Sequence, residues 1–70
     1  MQHTYEIIEL VGSSTESSDD AIARAISTAG KTHERLRWFE VLRTRGHIEQ
    51  GKIAHFQVTI KVGLRAGDVE

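Results

Sequence analysis

The sequence predicts an α+β subunit of element order β-α-β-β, with one helix covering one face of a three-stranded sheet. Three observations carry that expectation. The run Ile53–Val62 alternates cleanly, with Phe56, Val58, Ile60 and Val62 on one parity and His55, Gln57, Thr59 and Lys61 on the other. Period-two alternation marks a strand with one buried face. Ala21, Ile22, Ala25, Ile26 and Ala29 recur at helical spacing and form a narrow, small-residue stripe. Finally, Thr4–Val11 and Leu36–His47 are apolar on both parities. A strand of that kind is covered on both faces, and a chain with one helix supplies only one cover.

Length and composition narrow the function classes. Seventy residues allow one domain, residues 1–70. With no cysteine, neither a disulfide nor a thiolate metal site can staple so small a core. Oligomerisation is the remaining common remedy, and it fits the two-sided strands. A formal net charge of −1 gives no support to nucleic-acid binding. No apolar run approaches the roughly 20 residues of a membrane helix. The N-terminus has no basic segment leading into an apolar one, so no secretory signal is expected and the expected compartment is cytoplasmic.

The first strand is expected over Thr4–Val11, with Tyr5, Ile7, Glu9 and Val11 on one side and Ile8 and Leu10 on the other. A polar break from Gly12 to Ser18 ends it. Ser17-Ser18-Asp19-Asp20 has the composition of a helix start, with a hydroxyl cap and two carboxylates at the positive end of the dipole. The helix is expected to run to about Glu34, with an earlier stop at Gly30 as the alternative.

The second strand follows at once, and Glu49-Gln50-Gly51 supplies a turn. A two-residue Gln50-Gly51 loop sets even positions of the second strand on the side of odd positions of the third. Trp38 then shares a face with Gln57 and Thr59, opposite Phe39, Val41, Phe56, Val58 and Ile60. Arg45 falls on the parity opposite Trp38. Only a bulge near Gly46, or reach from another subunit, brings it round. The segment from Gly63 onward is expected to fray or to pack on a neighbouring chain.

Several blocks together resemble the dodecins: Tyr5-Glu6-Ile7-Ile8-Glu9-Leu10-Val11-Gly12-Ser13-Ser14, the helix opening onto Ala21-Ile22, Trp38-Phe39-Glu40-Val41, Arg45-Gly46, and Phe56-Gln57-Val58-Thr59 followed by Val62-Gly63. The resemblance covers nearly the whole chain, to Arg65, and rests on order, spacing and length taken together. It implies α+β subunits of order β-α-β-β, each an antiparallel three-stranded sheet partly wrapped around one helix, assembled as a hollow homododecamer. It further implies flavins held in pairs near a two-fold axis, their rings sandwiched between Trp38 side chains of neighbouring chains, with Gln57 on the polar ring edge. FMN or riboflavin-type ligands are implied, with Arg45 favouring the phosphorylated form. Coenzyme A is a further implied ligand in some members, at the helix end where Thr28, Thr32, His33 and Glu34 stand, with Arg65. The implied role is storage and protection of the flavin, not turnover.

The residue types agree with that chemistry. Indole presents a flat, electron-rich surface to a heteroaromatic ring. A Gln amide offers a donor and an acceptor to the alternating edge of a flavin. A two-fold presents each residue twice. On pattern alone, however, Trp38 is more simply an interface or core aromatic, and Gln57 a solvated strand residue. Arg43 and Arg45 divide evenly between phosphate contacts and edge charges paired with Glu40 or Glu49. Many dodecins carry an acidic residue immediately before the Trp. Arg37 stands there in this chain and favours a phosphate-bearing tail.

His3, His33, His47 and His55 have no local ligand spacing, so no metal site is expected. Ser13, Ser14 and Ser17 are turn and cap residues, and no catalytic residue is assigned. The leading expectation is therefore a non-enzymatic flavin-binding protein. The alternative is a carrier assembly for coenzyme A or a related nucleotide, its flavin site weak or vacant.

Overall fold

The computed structural model describes residues 3–66. Strand β1 (Thr4–Ser14) is followed by helix α1 (Ser18–Thr32), then by β2 (Leu36–Glu49) and β3 (Lys52–Ala66). The strands form one antiparallel sheet in the order β1-β3-β2, so β3 is central and both other strands are edges.

The core lies where α1 meets the even-numbered face of β3. Val58, Ile60, Val62 and Leu64 are buried against Ala21, Ala25 and Ala29, with Ile8, Leu10, Ile22, Ile26 and Leu36 packed around them. The alanine stripe lets the helix lie close to the sheet, and Gly12 completes the fit. A Cβ at Gly12 would overlap the Ala21 carbonyl oxygen and lie 3.0 Å from the Ala25 Cβ.

The helix starts as its composition requires. The Ser17 hydroxyl accepts from the Asp20 backbone N–H at 2.9 Å, and Asp19 and Asp20 occupy the first turn. The Ser14 hydroxyl donates to the Asp20 carboxylate at 2.6 Å and accepts from the Glu16 backbone N–H at 2.9 Å, so the corner between β1 and α1 is tied from both sides.

Four boundaries differ from expectation. β1 continues through Ser14 because Gly12, Ser13 and Ser14 keep pairing with Val58, Gln57 and Phe56. The helix ends at Thr32, short of Glu34, where the His33 N–H closes on the Ala29 carbonyl at 2.9 Å; it passes through Gly30 without stopping. β2 extends two residues beyond His47. The segment expected to fray or to pack on a neighbouring chain does not fray as far as Ala66: it is strand, with Gly63 and Leu64 buried and Thr4–Ile7 opposite Gly63–Ala66. The remainder of that expectation, residues 67–70, lies outside the described residues.

The sheet outruns its helix. Fifteen helical residues span about 22 Å, whereas the fifteen residues of β3 span about 50 Å, and the molecule measures 52 × 20 × 13 Å. The Gln50-Gly51 turn at the far end has φ values of 52° and 74°, the pair of positive angles that a tight type I′ hairpin turn needs. Ile48 and Ile53 near that tip are 69% and 59% exposed. No residue of β2 is buried, and Phe39 and Val41 on the helix-side face remain about half exposed. The single helix therefore covers β1 and β3 and leaves β2 beyond Leu36 exposed.

Candidate functional site

The outer face of the sheet, away from the helix, is built by the odd positions of β3. Cross-strand register lays it out in rows. Tyr5 is opposite Arg65. Then come Ile7–Gly63–Trp38, Glu9–Lys61–Glu40, Val11–Thr59–Arg43 and Ser13–Gln57–Arg45, and beyond the end of β1, His55–His47.

Three irregularities of register decide what shares this face. Between Leu36 and Trp38, Arg37 is unpaired. Leu36 therefore turns to the helix side opposite buried Leu64 while Trp38 turns outward, although the two have the same parity. Between Val41 and Arg43, Leu42 is unpaired, which brings Arg43 and Arg45 onto the face of Trp38. Between His47 and Ile48, Ala54 of β3 is skipped, which restores the parity set by the turn. Trp38 thus faces outward with Gln57 and Thr59, as expected. Arg45, expected on the opposite parity, instead stands directly across from Gln57. A bulge is the reason, as the alternative allowed.

Trp38 owes its pose to Gly63. An added Cβ there would overlap Cε2 and Cζ2 of the indole and lie 2.6 Å from Nε1, so the ring lies directly on the glycine backbone. Tyr5 closes on it edge-to-face, with centroids 6.4 Å apart and planes at 64°. The indole remains 41% exposed. A large aromatic surface is backed by strand, flanked by Tyr5 and left open.

Trp38 and the Gln57–Arg45 pair stand at opposite ends of this face. Gly63 and Gln57 are six residues apart on β3, or about 20 Å, which exceeds the length of a three-ring heteroaromatic system. Arg37 projects from its bulge at the Trp38 end, with Nη1 3.4 Å from the Leu36 carbonyl oxygen.

The second group of candidates gathers only in part. Thr28, Thr32, His33 and Glu34 follow one another around the last turn of α1 and the residues after it. The Thr32 hydroxyl is 3.0 Å from His33 Nδ1, and that nitrogen is 3.3 Å from the Ala29 carbonyl oxygen, so His33 is engaged in closing the helix. The Arg65 backbone N–H donates to the Arg35 carbonyl at 3.0 Å, which ties β3 to the turn after the helix. Thr28 lines a separate hollow of about 320 Å³ with Gly12, Ser13 and Arg24, on the β1 side.

Asp20, at the β1–α1 corner, has its carboxyl held below the usual range, first by the Ser14 hydroxyl and then by the Arg24 guanidinium, whose Nε lies 2.6 Å from Oδ2. Ser14 pairs with Phe56, so that arrangement lies on the helix side of the sheet. Among the described residues no group of three or more His, Asp or Glu side chains is gathered to hold a metal ion, and no helix is long and apolar enough to cross a membrane.

Two contributors went unrecognised in the sequence. Gly63 opens a glycine-rich, polar stretch that reads as a tail, although an isolated glycine in an alternating strand is a signal of close approach. Tyr5 carried no signal, because its contact with Trp38 spans the central strand.

The comparisons agree with this geometry along the length of the chain. The dodecin family model matches residues 4–66. A dodecin from Thermus thermophilus is 42% identical over 65 residues, which is 93% of this chain and 94% of that protein. The solved dodecin from Streptomyces coelicolor is 43% identical, with a TM-score of 0.89 and 96% of each chain covered. That from Streptomyces davaonensis is 46% identical, with a TM-score of 0.90, covering 97% of this chain and all of the other. On this evidence of sequence and fold, the chain belongs to the dodecin family.

Proposed function

We propose that this chain is a non-enzymatic flavin-binding protein that stores FMN or a riboflavin-type ligand between Trp38 side chains of neighbouring subunits in a homododecamer. The observation that carries the reading is the half-open Trp38 indole, laid flat on Gly63 and braced by Tyr5. A rigid aromatic surface loses little entropy on stacking against a heteroaromatic ring. Gln57 supplies the donor and acceptor for the polar ring edge; it stands six residues along β3 from Gly63, the cross-strand partner of Trp38, a backbone spacing of about 20 Å that favours a ring stacked on another subunit's indole. Arg45, opposite Gln57, would hold a phosphate tail, with Arg37 as a second cation at the Trp38 end. The open faces of β2 give subunit contacts their apolar area. Electron transfer from the stacked indole would quench an excited flavin, which asks for no acid, base or nucleophile.

The test is a titration of apo protein with FMN and with riboflavin, following flavin emission, in wild type and Trp38→Ala. Quenching that saturates near one flavin per chain and is lost in the variant supports the reading. A tighter hold on FMN than on riboflavin at low salt, with the gap narrowing at high salt, assigns the arginines to phosphate. A colourless protein that quenches neither ligand but binds coenzyme A moves the assignment to the carrier alternative at Thr28, Thr32, His33, Glu34 and Arg65.

A further inference from the structure

The outer face ends in a pair of imidazoles that flavin binding does not use. His47 and His55 are direct cross-strand partners on β2 and β3. Their ring centroids are 5.3 Å apart and their planes lie within 15°. A Glu49 oxygen, two residues along the same strand, is 3.4 Å from His47 Nε2. The placement follows from the bulge at Ala54, which sets the two odd positions opposite each other. β1 stops at Ser14, opposite Phe56, and the His47 side chain is 55% exposed.

We infer that His47 and His55 form a two-imidazole site for a borderline divalent transition metal, Zn²⁺, Ni²⁺ or Cu²⁺, with Glu49 orienting the His47 ring. Imidazole nitrogen suits these ions, whereas Ca²⁺ and Mg²⁺ demand oxygen donors. Two imidazoles on one tetrahedral zinc, each bound at about 2.0–2.1 Å, have ring centroids about 5 Å apart. The backbone already holds the pair at that spacing. Binding requires each ring to turn about its outer side-chain torsion until the nitrogens converge, with no change in the strands. A carboxylate on the second ring nitrogen fixes the orientation of a ligating imidazole, and Glu49 is within reach of His47 for that purpose. With only two protein ligands, water fills the remaining positions, and the site is weaker than a four-ligand structural centre.

The test uses tag-free, assembled protein and Zn²⁺ alone, titrated by calorimetry. One Zn²⁺ per chain is expected, lost in His47→Ala and in His55→Ala, kept in His33→Ala, and weakened several-fold in Glu49→Gln. No uptake by wild type, or uptake unchanged in either histidine variant, overturns the inference. Should a variant fail to assemble, X-ray absorption of wild type loaded with one Zn²⁺ per chain decides. Two imidazole ligands support the site, and fewer than two overturn it. None of these readouts depends on flavin, so the inference stands or falls apart from the flavin proposal.

Discussion

The indole of Trp38 lies on the backbone of Gly63, so closely that no β-carbon fits between them. The contact joins an edge strand to the central one. It sets the indole flat against the outer face of the sheet, beside Tyr5 and within a row that also holds Ile7. A small, buried residue of β3 thereby seats the exposed indole.

Gly63→Ala should therefore act on the ligand site more than on the fold. The new methyl displaces the indole, an edge-strand side chain with open space beside it, so the stability cost should stay near 1–3 kcal/mol. Flavin affinity should fall at least tenfold. Thermal unfolding and flavin quenching, measured on the same preparation, separate the two effects. Unchanged quenching would show that the seat on Gly63 does not matter to binding.

Gly12→Ala should give the opposite pattern. There the methyl meets the backbone carbonyl of Ala21 and the Ala25 side chain, neither of which can rotate away. Destabilisation should reach or exceed about 3 kcal/mol, read as a lowered denaturation midpoint. A loss below about 0.5 kcal/mol would mean that helix and strand are less closely held than their contact implies.

The corner at Asp20 predicts a pH dependence. Its carboxyl titrates lower in the folded chain than in the unfolded one, mainly through the Ser14 hydroxyl and then Arg24. A depressed folded value stabilises the protein above the unfolded value, about pH 4, and that contribution is lost as pH falls through the folded value. Wild type should be more stable than Asp20→Asn at pH 7, with the difference shrinking below about pH 4. A difference that is constant from pH 7 to pH 3 would contradict the assignment.

Much of the fold was legible because its signals are local. Phe56-Val58-Ile60-Val62 declared the buried face of β3, the alanine stripe declared a close-lying helix, and Gln50-Gly51 declared the hairpin. What stayed hidden depends on non-local pairing. The bulges at Arg37, Leu42 and Ala54 arise where one strand's register meets another's, and no residue type marks them. Two of them lie between Trp38 and the turn, so their parity changes cancel at Trp38 and leave its expected face correct. Only one lies between Arg45 and the turn, which is why the arginine changed sides. The His47–His55 pair was invisible for the same reason, being eight residues apart in sequence and adjacent only in register. The extension of β1 through Gly12-Ser13-Ser14 overrode residues that otherwise favour a loop, because β3 offers them partners.

Folding and assembly should be linked. β2 has no buried residue in the isolated chain, and Phe39, Val41, Leu42, Ile48 and Ile53 are all exposed. A partner that covers them stabilises the folded state by mass action. The unfolding midpoint should rise with protein concentration, and an invariant midpoint over a hundredfold dilution in a reversible system would contradict it.

The measurement that bears most directly on function is the fluorescence titration of apo protein with FMN, in wild type and in a folded, assembled Trp38→Ala variant. The account predicts near-complete quenching at about one flavin per chain in wild type. In the variant it predicts affinity weaker by about 2–3 kcal/mol, roughly a hundredfold, because both stacking contacts on each ring are lost. Equal affinity and equal quenching in the two proteins would contradict the stacked site, whatever the assembly state.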